Sequence, residues 1–477
     1  MVLVILIAAT LLRLATLNQS LWLDEAINLN NAASLDFKTL LLKYSLSDFH
    51  PPLYHAVLKL WIMLAGTSEV SARIPSVVFG VLTVYLTYLI GKKLFEQKTA
   101  LIAATLMATG PLAIYYSQEA RMYSMAAAAA AASVYFFVSI LKKDKLINWI
   151  GFITSTTVLL YSDYLPYLLL PVYAIYLQVN RKVIKKGTFR AFIPAFIIIT
   201  IALIPWLLIM PQQLHTGLSA KAASPAWSQV VGSPEAKSLP LTLVKFTIGR
   251  ISIDNNLIYA LAIAPIALFV GFLFALATFR ISKSRSFLWY WLILPLVLGF
   301  ALSFKVPVFS YFRFLFILPA FYLIAASAIN SINWPPLVRF LLGIFLAINL
   351  TSSIIYFANP KFRREDWRGA TAYVVQNSNK NTIAIFESNF TIGAFDYYNQ
   401  NKAQAAGGLD SFTPNPKAVK EIIGNATKGK NKVFLFQYLS GITDPQGLIF
   451  ENLSNLGFVN TTTKDFNGVG FVYEFTK

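Results

Sequence analysis

Long apolar stretches dominate this chain and restrict it to a membrane fold. A helix needs roughly 20 apolar residues to cross about 30 Å of hydrocarbon. Stretches of this kind lie near 1–17, 74–91, 99–116, 122–141, 146–162, 164–180, 190–210, 256–279, 287–304, 311–330 and 337–357. Hydrophobic residues make up 56% of the chain and charged residues 13%, with a mean hydropathy of +0.59. The sequence therefore predicts an α-helical polytopic membrane protein with about eleven transmembrane helices.

Basic residues between the apolar stretches give the orientation in the membrane. They cluster in four short loops, at 92–98, 142–145, 181–190 and 280–285. All four loops fall on one side if the eleven spans are right, and an excess of Lys and Arg marks the cytoplasmic side. The opposite side then receives segment 18–73, the 211–255 loop and the chain after residue 358. We expect a multi-pass protein of the cell membrane.

The two large polar segments on that outer side differ in character. Segment 18–73 is too polar to span, yet Leu35–Tyr44 and Leu53–Leu64 carry apolar residues at helical spacing. We predict two amphipathic helices there, lying in the outer membrane interface. The 211–255 loop is rich in Ser, Pro and Ala, and we expect a partly ordered outer lid.

The composition changes after Pro360, which predicts two domains, a transmembrane domain at 1–358 and an extracytoplasmic α/β domain at 359–477. Strands are predicted at Thr382–Glu387, Val433–Gln437 and in the tail ending with Gly470–Phe475. Helices are predicted at Arg364–Gln376, near Asn415–Ala426 and at Gln446–Leu456. Mixed elements of this length are typical of a small α/β domain.

Several classes of function and targeting are disfavoured by composition. The net charge of +19 is confined largely to short loops between spans, so we expect no nucleic-acid partner. The chain has no cysteine, which excludes disulfides and thiol chemistry. Three histidines without acidic spacing give no metal signature, and a cofactor is not indicated. A cleaved signal peptide is not expected, and the short first span is compatible with a start further upstream.

An acidic pair after the first apolar stretch is the best clue to function. Between Asn18 and Asn28 the chain reads N-Q-S-L-W-L-D-E-A-I-N, which places Asp24 and Glu25 at the end of a membrane helix. Carboxylates at a bilayer surface cost free energy unless they are solvated, paired or used. One acid can act as a general base on an acceptor hydroxyl while its neighbour orients it. The alternative is a solvated helix cap.

Two further polar motifs follow within the first outer segment. The run from His50 to Tyr54 reads H-P-P-L-Y, and its prolines can start a helix. His50 and the first amides of that helix would then point to the same place, which suits binding of an anionic lipid headgroup. Glu69 and Arg73 stand four residues apart and can pair on one helix face. Arg73 also precedes a span, where it can clamp a lipid phosphate. A plain turn and a snorkelling arginine are the alternatives.

Outer turns between later spans carry the remaining charged candidates. These are Glu119 and Arg121 in a tight reversal, Asp163 in another turn, and Arg313 at the start of a span. Each signal is weak when taken singly. The predicted topology places all of them on the same face of the membrane as Asp24. Acids and arginines clustered at a headgroup surface point to a phosphate-bearing lipid and a proton-removing base.

The ordered motifs resemble a known family. L-R-L…W-L-D-E-A is followed by D-F-H-P-P-L-Y, E-x-x-x-R-I-P-S, G-x-L-T-V and Y-Y-S-Q-E-A-R-M-Y-S, with R-E-D-W-R at 364–368. This series resembles the bacterial glycosyltransferases of the protein-mannosyltransferase-like branch of the GT-C superfamily, which includes the lipid A aminoarabinose transferases. The match is dense over residues 1–180 and sparser afterwards.

The resemblance implies a sugar donor on a polyprenyl or dolichyl phosphate, an outward-facing site and inversion at the anomeric carbon. By position, Asp24 matches the catalytic acid and Glu25 its partner. The implied donor-binding residues are His50, Tyr54, Arg73, Glu119, Arg121, Asp163 and Arg313. Two departures concern specificity rather than the reaction class. Many relatives carry His at the position of Asp163, and Phe314 replaces a tyrosine.

We therefore expect an integral membrane glycosyltransferase in which Asp24 deprotonates an acceptor hydroxyl and arginines stabilise the leaving lipid phosphate. The acceptor stays open between lipid, glycan and protein, and a divalent metal near Asp24 is not indicated. Two alternatives come from other classes. One is a transporter or flippase for a polyprenyl-linked sugar, which typically carries charges at mid-span and repeated halves. The other is a non-catalytic glycolipid-binding protein.

Overall fold

A computed structural model of the chain describes residues 1–223, 232, 234–279, 283–409 and 415–477. Helices make up nearly all of the structure before Pro360, and a five-stranded sheet lies after it. The fold class is therefore the one predicted, an α-helical membrane protein with a small C-terminal α/β portion.

Seven helices in the described part of the chain are long and apolar enough to cross a membrane. They are Glu69–Leu94, Tyr123–Lys142, Lys186–Leu207, Asn256–Phe279, Ser286–Ser303, Tyr311–Asn330 and Pro335–Ala358. An eighth span is possible if the bent pair of Gln97–Thr109 and Pro111–Ser117 crosses as one unit. The remaining three predicted stretches are shorter apolar helices, at Val2–Leu14, Leu146–Leu160 and Leu165–Val179. Each predicted stretch thus coincides with helical structure.

The bend of 57° between Gln97–Thr109 and Pro111–Ser117 frees backbone carbonyls in an apolar environment. Arg13, which is fully buried, donates to the carbonyls of Met107 and Ala108 and to the Ser117 hydroxyl. Carbonyls left without donors inside a bilayer are costly, so these bonds stabilise the bend. This side chain links the first helix to the bent pair.

The first outer segment contains more helix than the sequence predicted. Its helices are Leu23–Ser34, the π-helical turn Thr39–Tyr44, the short turn Ser45–Ser47, and Leu53–Ala65. The last confirms the predicted helix at Leu53–Leu64. The predicted helix at Leu35–Tyr44 begins two residues later than expected, at residue 37, because Leu35 is the extended residue that ends the preceding helix. That preceding helix was missed because its asparagine-rich sequence has no strong apolar period.

The predicted lid is partly helical. Helices Met210–Ala223 and Ser238–Ile248 occupy much of it, and residues 224–231 and 233 lie outside the described residues. Gln213 donates to the backbone carbonyl of His50 over 3.2 Å. The lid therefore contacts the first outer segment at the His50 turn.

The C-terminal sheet has the order β2-β1-β3-β5-β4. Its strands are β1 Thr382–Ser388, β2 Ala405–Leu409, β3 Lys432–Phe436, β4 Val459–Phe466 and β5 Gly470–Thr476. Strand β1 pairs in parallel with β2 and β3, whereas β5 pairs antiparallel with β3 and β4. Strand β2 was missed by the sequence analysis.

Helices cover both faces of this sheet. They are Trp367–Gln376, Gly393–Asn399, Pro416–Ala426, Ser440–Thr443 and Leu448–Asn455. On one face Phe386 and Phe436 stack beneath Trp367, and this cluster is continuous with the core of the membrane helices. On the other face Ile385 and Leu435 pack in a separate cluster. The sheet is therefore attached to the helical part through one face.

A glycine permits the close packing around Arg13. A Cβ on Gly80 would lie 2.1 Å from the Ser117 Oγ atom and 2.9 Å from the Arg13 Nε atom. We predict that Gly80→Ala destabilises the protein by about 1–3 kcal/mol, the usual cost of overpacking. The midpoint of thermal unfolding in detergent measures this. Gly343→Ala is the control, because that helical glycine has open space around it. Equal midpoints for the two variants would contradict the prediction.

Candidate active site

Asp24 and Glu25 stand next to each other at the start of helix Leu23–Ser34 but have opposite environments. The Asp24 side chain is 38% exposed, whereas the Glu25 side chain is fully buried. Successive residues on a helix point about 100° apart, so the two carboxylates face different neighbours. Only Asp24 is open to a ligand.

Glu25 forms a buried ion pair with Arg73. The Arg73 Nε and Nη2 atoms lie 2.8 and 2.6 Å from the two carboxylate oxygens. Its remaining N–H groups donate to the carbonyls of Leu17, Gln19 and Ser20. All five donors of this guanidinium are therefore used within the protein.

The pairing of Arg73 with Glu69 expected from their spacing is wrong. Glu69 instead accepts from Arg368 over 2.7 Å. Glu25 also accepts the backbone N–H of Ala120 over 2.7 Å. Burial acts to raise the pKa of Glu25, but Arg73 and this N–H outweigh it, so the pKa is lowered. Glu25 is thus a buried carboxylate that stays ionised.

Asp24 is held by Arg121, whose Nη1 atom lies 2.8 Å from its carboxylate. The Arg121 guanidinium is almost fully buried between the rings of Trp22 and Tyr123, and its Nε atom has no hydrogen-bond partner among the described residues. The surroundings raise the pKa of Asp24, chiefly by desolvation, and Arg121 opposes this shift. A partly exposed carboxylate of raised pKa suits a general base.

Glu119 lies in the same outer turn but faces a different cation. Its Oε2 atom accepts from the Arg364 Nη1 atom over 2.5 Å, and both side chains are buried. Arg364 also lies 3.9 Å from the centre of the Tyr115 ring. The sequence analysis noted the R-E-D-W-R run after the last span but gave Arg364 no partner. A charged run directly after a span is the signal that marks it.

His50 is part of a small acidic cluster at the next turn. The Asp48 carboxylate lies 3.3 Å from His50 Nδ1 and 3.0 Å from His55 Nε2. Burial acts to raise the pKa of Asp48, yet contacts with the two histidines lower it overall. Asp48 and His50 both act electrostatically on Asp24, so this cluster borders the acidic pair. Asp48 was quoted in the D-F-H-P-P-L-Y motif without a role.

Tyr54 and Asp163 are both buried. The Tyr54 hydroxyl lies 3.3 Å from the Ser76 hydroxyl, which lies 3.4 Å from the Arg121 carbonyl. Asp163 accepts the backbone N–H of Tyr164 over 2.7 Å. Tyr54 thus lies behind Arg121 rather than beside Asp24.

Arg313 differs from the other arginines of this region. Its Nε atom is buried and has no hydrogen-bond partner, and no acidic side chain in the described ranges lies within ion-pair distance of the guanidinium. It acts electrostatically on Tyr123, whose ring also contacts Arg121. A partly buried cation without an anion is costly, which favours an anionic ligand.

Two further observations concern metal binding and the nearest groove. In the part of the chain that the structure describes, no three His, Asp or Glu side chains converge as a possible metal-ligand set. An open groove of about 460 Å³ lies between the first outer segment and the C-terminal portion. Its lining includes Asn30, Glu69, Arg368, Asp396, Tyr397 and Tyr398. None of the nine predicted site residues lines this groove.

One protein family and several solved structures are similar to this chain. The model of the family described as dolichyl-phosphate-mannose-protein mannosyltransferase matches residues 49–209, which confirms the resemblance over that region. A structure of ArnT from Cupriavidus metallidurans in the apo state matches with a TM-score of 0.61 and 12% identity, covering 99% of this chain and 97% of that one. The chain therefore has the fold of ArnT.

Other structures of this fold hold lipid phosphates. ArnT from Cupriavidus metallidurans bound to undecaprenyl phosphate matches with a TM-score of 0.59 and 10% identity, over 99% of this chain and 97% of that one. The archaeal oligosaccharyltransferase AglB from Archaeoglobus fulgidus, in complex with an inhibitory peptide and a dolichol-phosphate, matches with a TM-score of 0.60 and 12% identity. That match covers 99% of this chain and 74% of AglB. No curated protein sequence matches.

The burial of Glu25 gives a test of its structural role. We predict that Glu25→Gln lowers the free energy of unfolding by about 3–5 kcal/mol, because Arg73 would be left as an uncompensated buried charge. The loss is measured by thermal or denaturant unfolding in detergent. Glu69→Gln removes a more exposed ion pair and should cost about 1 kcal/mol or less. Similar losses for both variants would contradict the assignment.

Proposed function

We propose that this protein transfers a sugar from a polyprenyl-phosphate donor to an acceptor hydroxyl on the outer side of the cell membrane. The observation that carries the proposal is the difference in environment between the two adjacent carboxylates. Glu25 is buried and fully paired, whereas Asp24 is partly exposed and held by a buried arginine. Structures of the same fold bind undecaprenyl phosphate and dolichol-phosphate, which supports a lipid-linked donor.

In the proposed reaction Asp24 takes the proton of the acceptor hydroxyl. The acceptor oxygen then bonds to the anomeric carbon from the face opposite the leaving group. The bond between that carbon and the phosphate oxygen breaks, and its electron pair leaves with the polyprenyl phosphate. Configuration at the anomeric carbon is inverted in this single displacement. A positioned general base contributes about 10²–10⁴-fold to such a step.

Charge builds up on the leaving phosphate, so cations near Asp24 are the second requirement. We assign this role to Arg313 and Arg121, because Arg313 has no anionic partner and the Arg121 Nε atom makes no hydrogen bond within the described chain. Arg73 has no free donor for a phosphate, so we place it in the support of Glu25. His50 borders the site, because it contacts Asp48 and acts electrostatically on Asp24.

The alternative of a transporter or flippase is favoured less by this arrangement. Transporters place ionisable groups near mid-membrane, often on broken helices of repeated halves. Here Asp24, His50 and Arg121 belong to turns and to a short helix outside the long spans. A charge cluster at one end of the helices suits chemistry on a headgroup.

Asp24→Asn tests the assigned base. We expect the rate of sugar transfer to fall by about 10²–10⁴-fold, since the amide accepts no proton at neutral pH. Binding of the polyprenyl-phosphate sugar should change little, whereas the unfolding midpoint should fall because the buried Arg121 loses its carboxylate partner. Purified protein with labelled donors measures transfer and binding separately. Asp36→Asn is the control, because Asp36 lies in the same outer segment and is exposed. Full activity of the Asp24 variant would exclude the proposed base.

The role of Arg313 is tested by Arg313→Gln. Loss of one donor that stabilises transition-state charge typically costs about 10²–10³ in kcat, and we expect a loss of this size. Arg339→Gln is the matched control, because Arg339 is an exposed arginine on helix Pro335–Ala358. Steady-state kinetics with a polyprenyl-phosphate sugar provide the measurement. If both variants keep wild-type kcat, Arg313 does not contact the leaving phosphate.

A further inference from the structure

Glu365 is a partly buried carboxylate of the segment that follows the last span, and it contacts the start of the helix that carries Asp24. Its Oε2 atom accepts the backbone N–H of Leu23 over 3.2 Å. Leu23 is the first residue of helix Leu23–Ser34 and directly precedes Asp24. A side chain more than 300 positions away in sequence thus contacts the residue directly before the base of the proposed reaction.

The residue before this helix supplies no side-chain cap. The first N–H groups of a helix have no partner within the helix and are usually satisfied by a Ser, Thr, Asp or Asn side chain. Trp22 occupies that position, and an indole is a donor only. Glu25 accepts the N–H of Trp22 over 3.4 Å, which leaves the Leu23 N–H to Glu365.

The C-terminal portion holds Glu365 in place from several sides. The Tyr438 hydroxyl donates to its Oε1 atom over 2.9 Å, and the Trp367 indole donates to its Oε2 atom over 2.7 Å. Gly468, at φ +73°, packs against its stem, where a Cβ would lie 2.9 Å from the Glu365 Cγ atom. A carboxylate fixed by three donors and a packed backbone is a rigid reference point.

We propose that Glu365 is a positioning residue, through which the C-terminal α/β portion orients Asp24 for proton removal. The inference rests on the proposed function of Asp24. The α/β portion is then part of the catalytic architecture rather than a passive cap. Misplacement of a catalytic group by about 1 Å can lower the rate by 10²-fold. A hydrogen bond to Leu23, the residue before Asp24, can therefore affect the rate through the position of the Asp24 carboxylate.

A second consequence concerns the protonation of Asp24. The groups facing Glu365 are the Leu23 N–H and Asp24 on one helix, the Trp367 indole, and the Tyr438 hydroxyl. Burial raises the pKa of Glu365, the hydrogen bonds lower it, and Asp24 raises it further. Two neighbouring carboxylates disfavour each other's charged form, so the negative charge of Glu365 opposes ionisation of Asp24. Removal of that negative charge should therefore lower the pKa of Asp24.

Glu365→Gln tests the proposal in the full-length protein. The expected result is a fall in kcat of about 10²-fold, with the KM for the polyprenyl-phosphate donor unchanged. The acid limb of the pH–rate profile should move to lower pH. A purely structural role would lower the unfolding midpoint without moving that limb, and this result would overturn the proposal. Glu421→Gln, on an exposed face of helix Pro416–Ala426, is the control.

Tyr438→Phe provides a second route if the Gln variant does not fold. It removes one donor to Glu365 and leaves the carboxylate charge, so kcat should fall while the acid limb stays near its wild-type position. Unchanged kcat in Tyr438→Phe and in a folded Glu365→Gln would overturn the positioning role alone. The Asp24→Asn variant is a separate test. If it is inactive, the assignment of Asp24 as the base stands, regardless of the results for the Glu365 variants.

Discussion

The buried ion pair between Glu25 and Arg73 is the interaction on which the outer site depends. Removing two charges from water costs several kcal/mol per ion, and this is offset only when hydrogen bonding is complete. Here Arg73 uses all five donors, on Glu25 and on carbonyls at the end of the first span. Glu25 also accepts the N–H of Ala120. One pair thereby joins the first outer segment, the span Glu69–Leu94 and the second outer turn.

That junction explains why Asp24 is available. Because Glu25 points into the protein, Asp24 lies on a different side of the helix. There it pairs with Arg121 and its side chain stays partly exposed. The segment after the last span fixes the same region from outside, through Arg364 on Glu119 and Arg368 on Glu69. Membrane helices and sheet therefore share one polar interface, and the proposed reaction lies at its edge.

Much of the architecture follows from local sequence. The spans were predicted because their length and apolar composition leave few other structures in a bilayer. Strands β1, β3 and β5 were predicted because alternating or continuous apolar runs mark them. Strand β2 reads A-A-G-G-L, which has low strand propensity, so it forms only because β1 offers a paired edge. Helix Leu23–Ser34 likewise depends on caps supplied by Glu25 and by Glu365.

The sequence by itself determined the membrane class and the positions of the apolar helices, of which seven in the described part of the chain are long enough to span a membrane. It did not determine which of the two adjacent carboxylates is buried, nor the partner of Arg73. Spacing favoured Glu69, four residues away, whereas the partner is Glu25. Only the tertiary structure decided this, because the free energy of a buried charge depends on every donor and acceptor that long-range packing brings to it, not on neighbours along one helix.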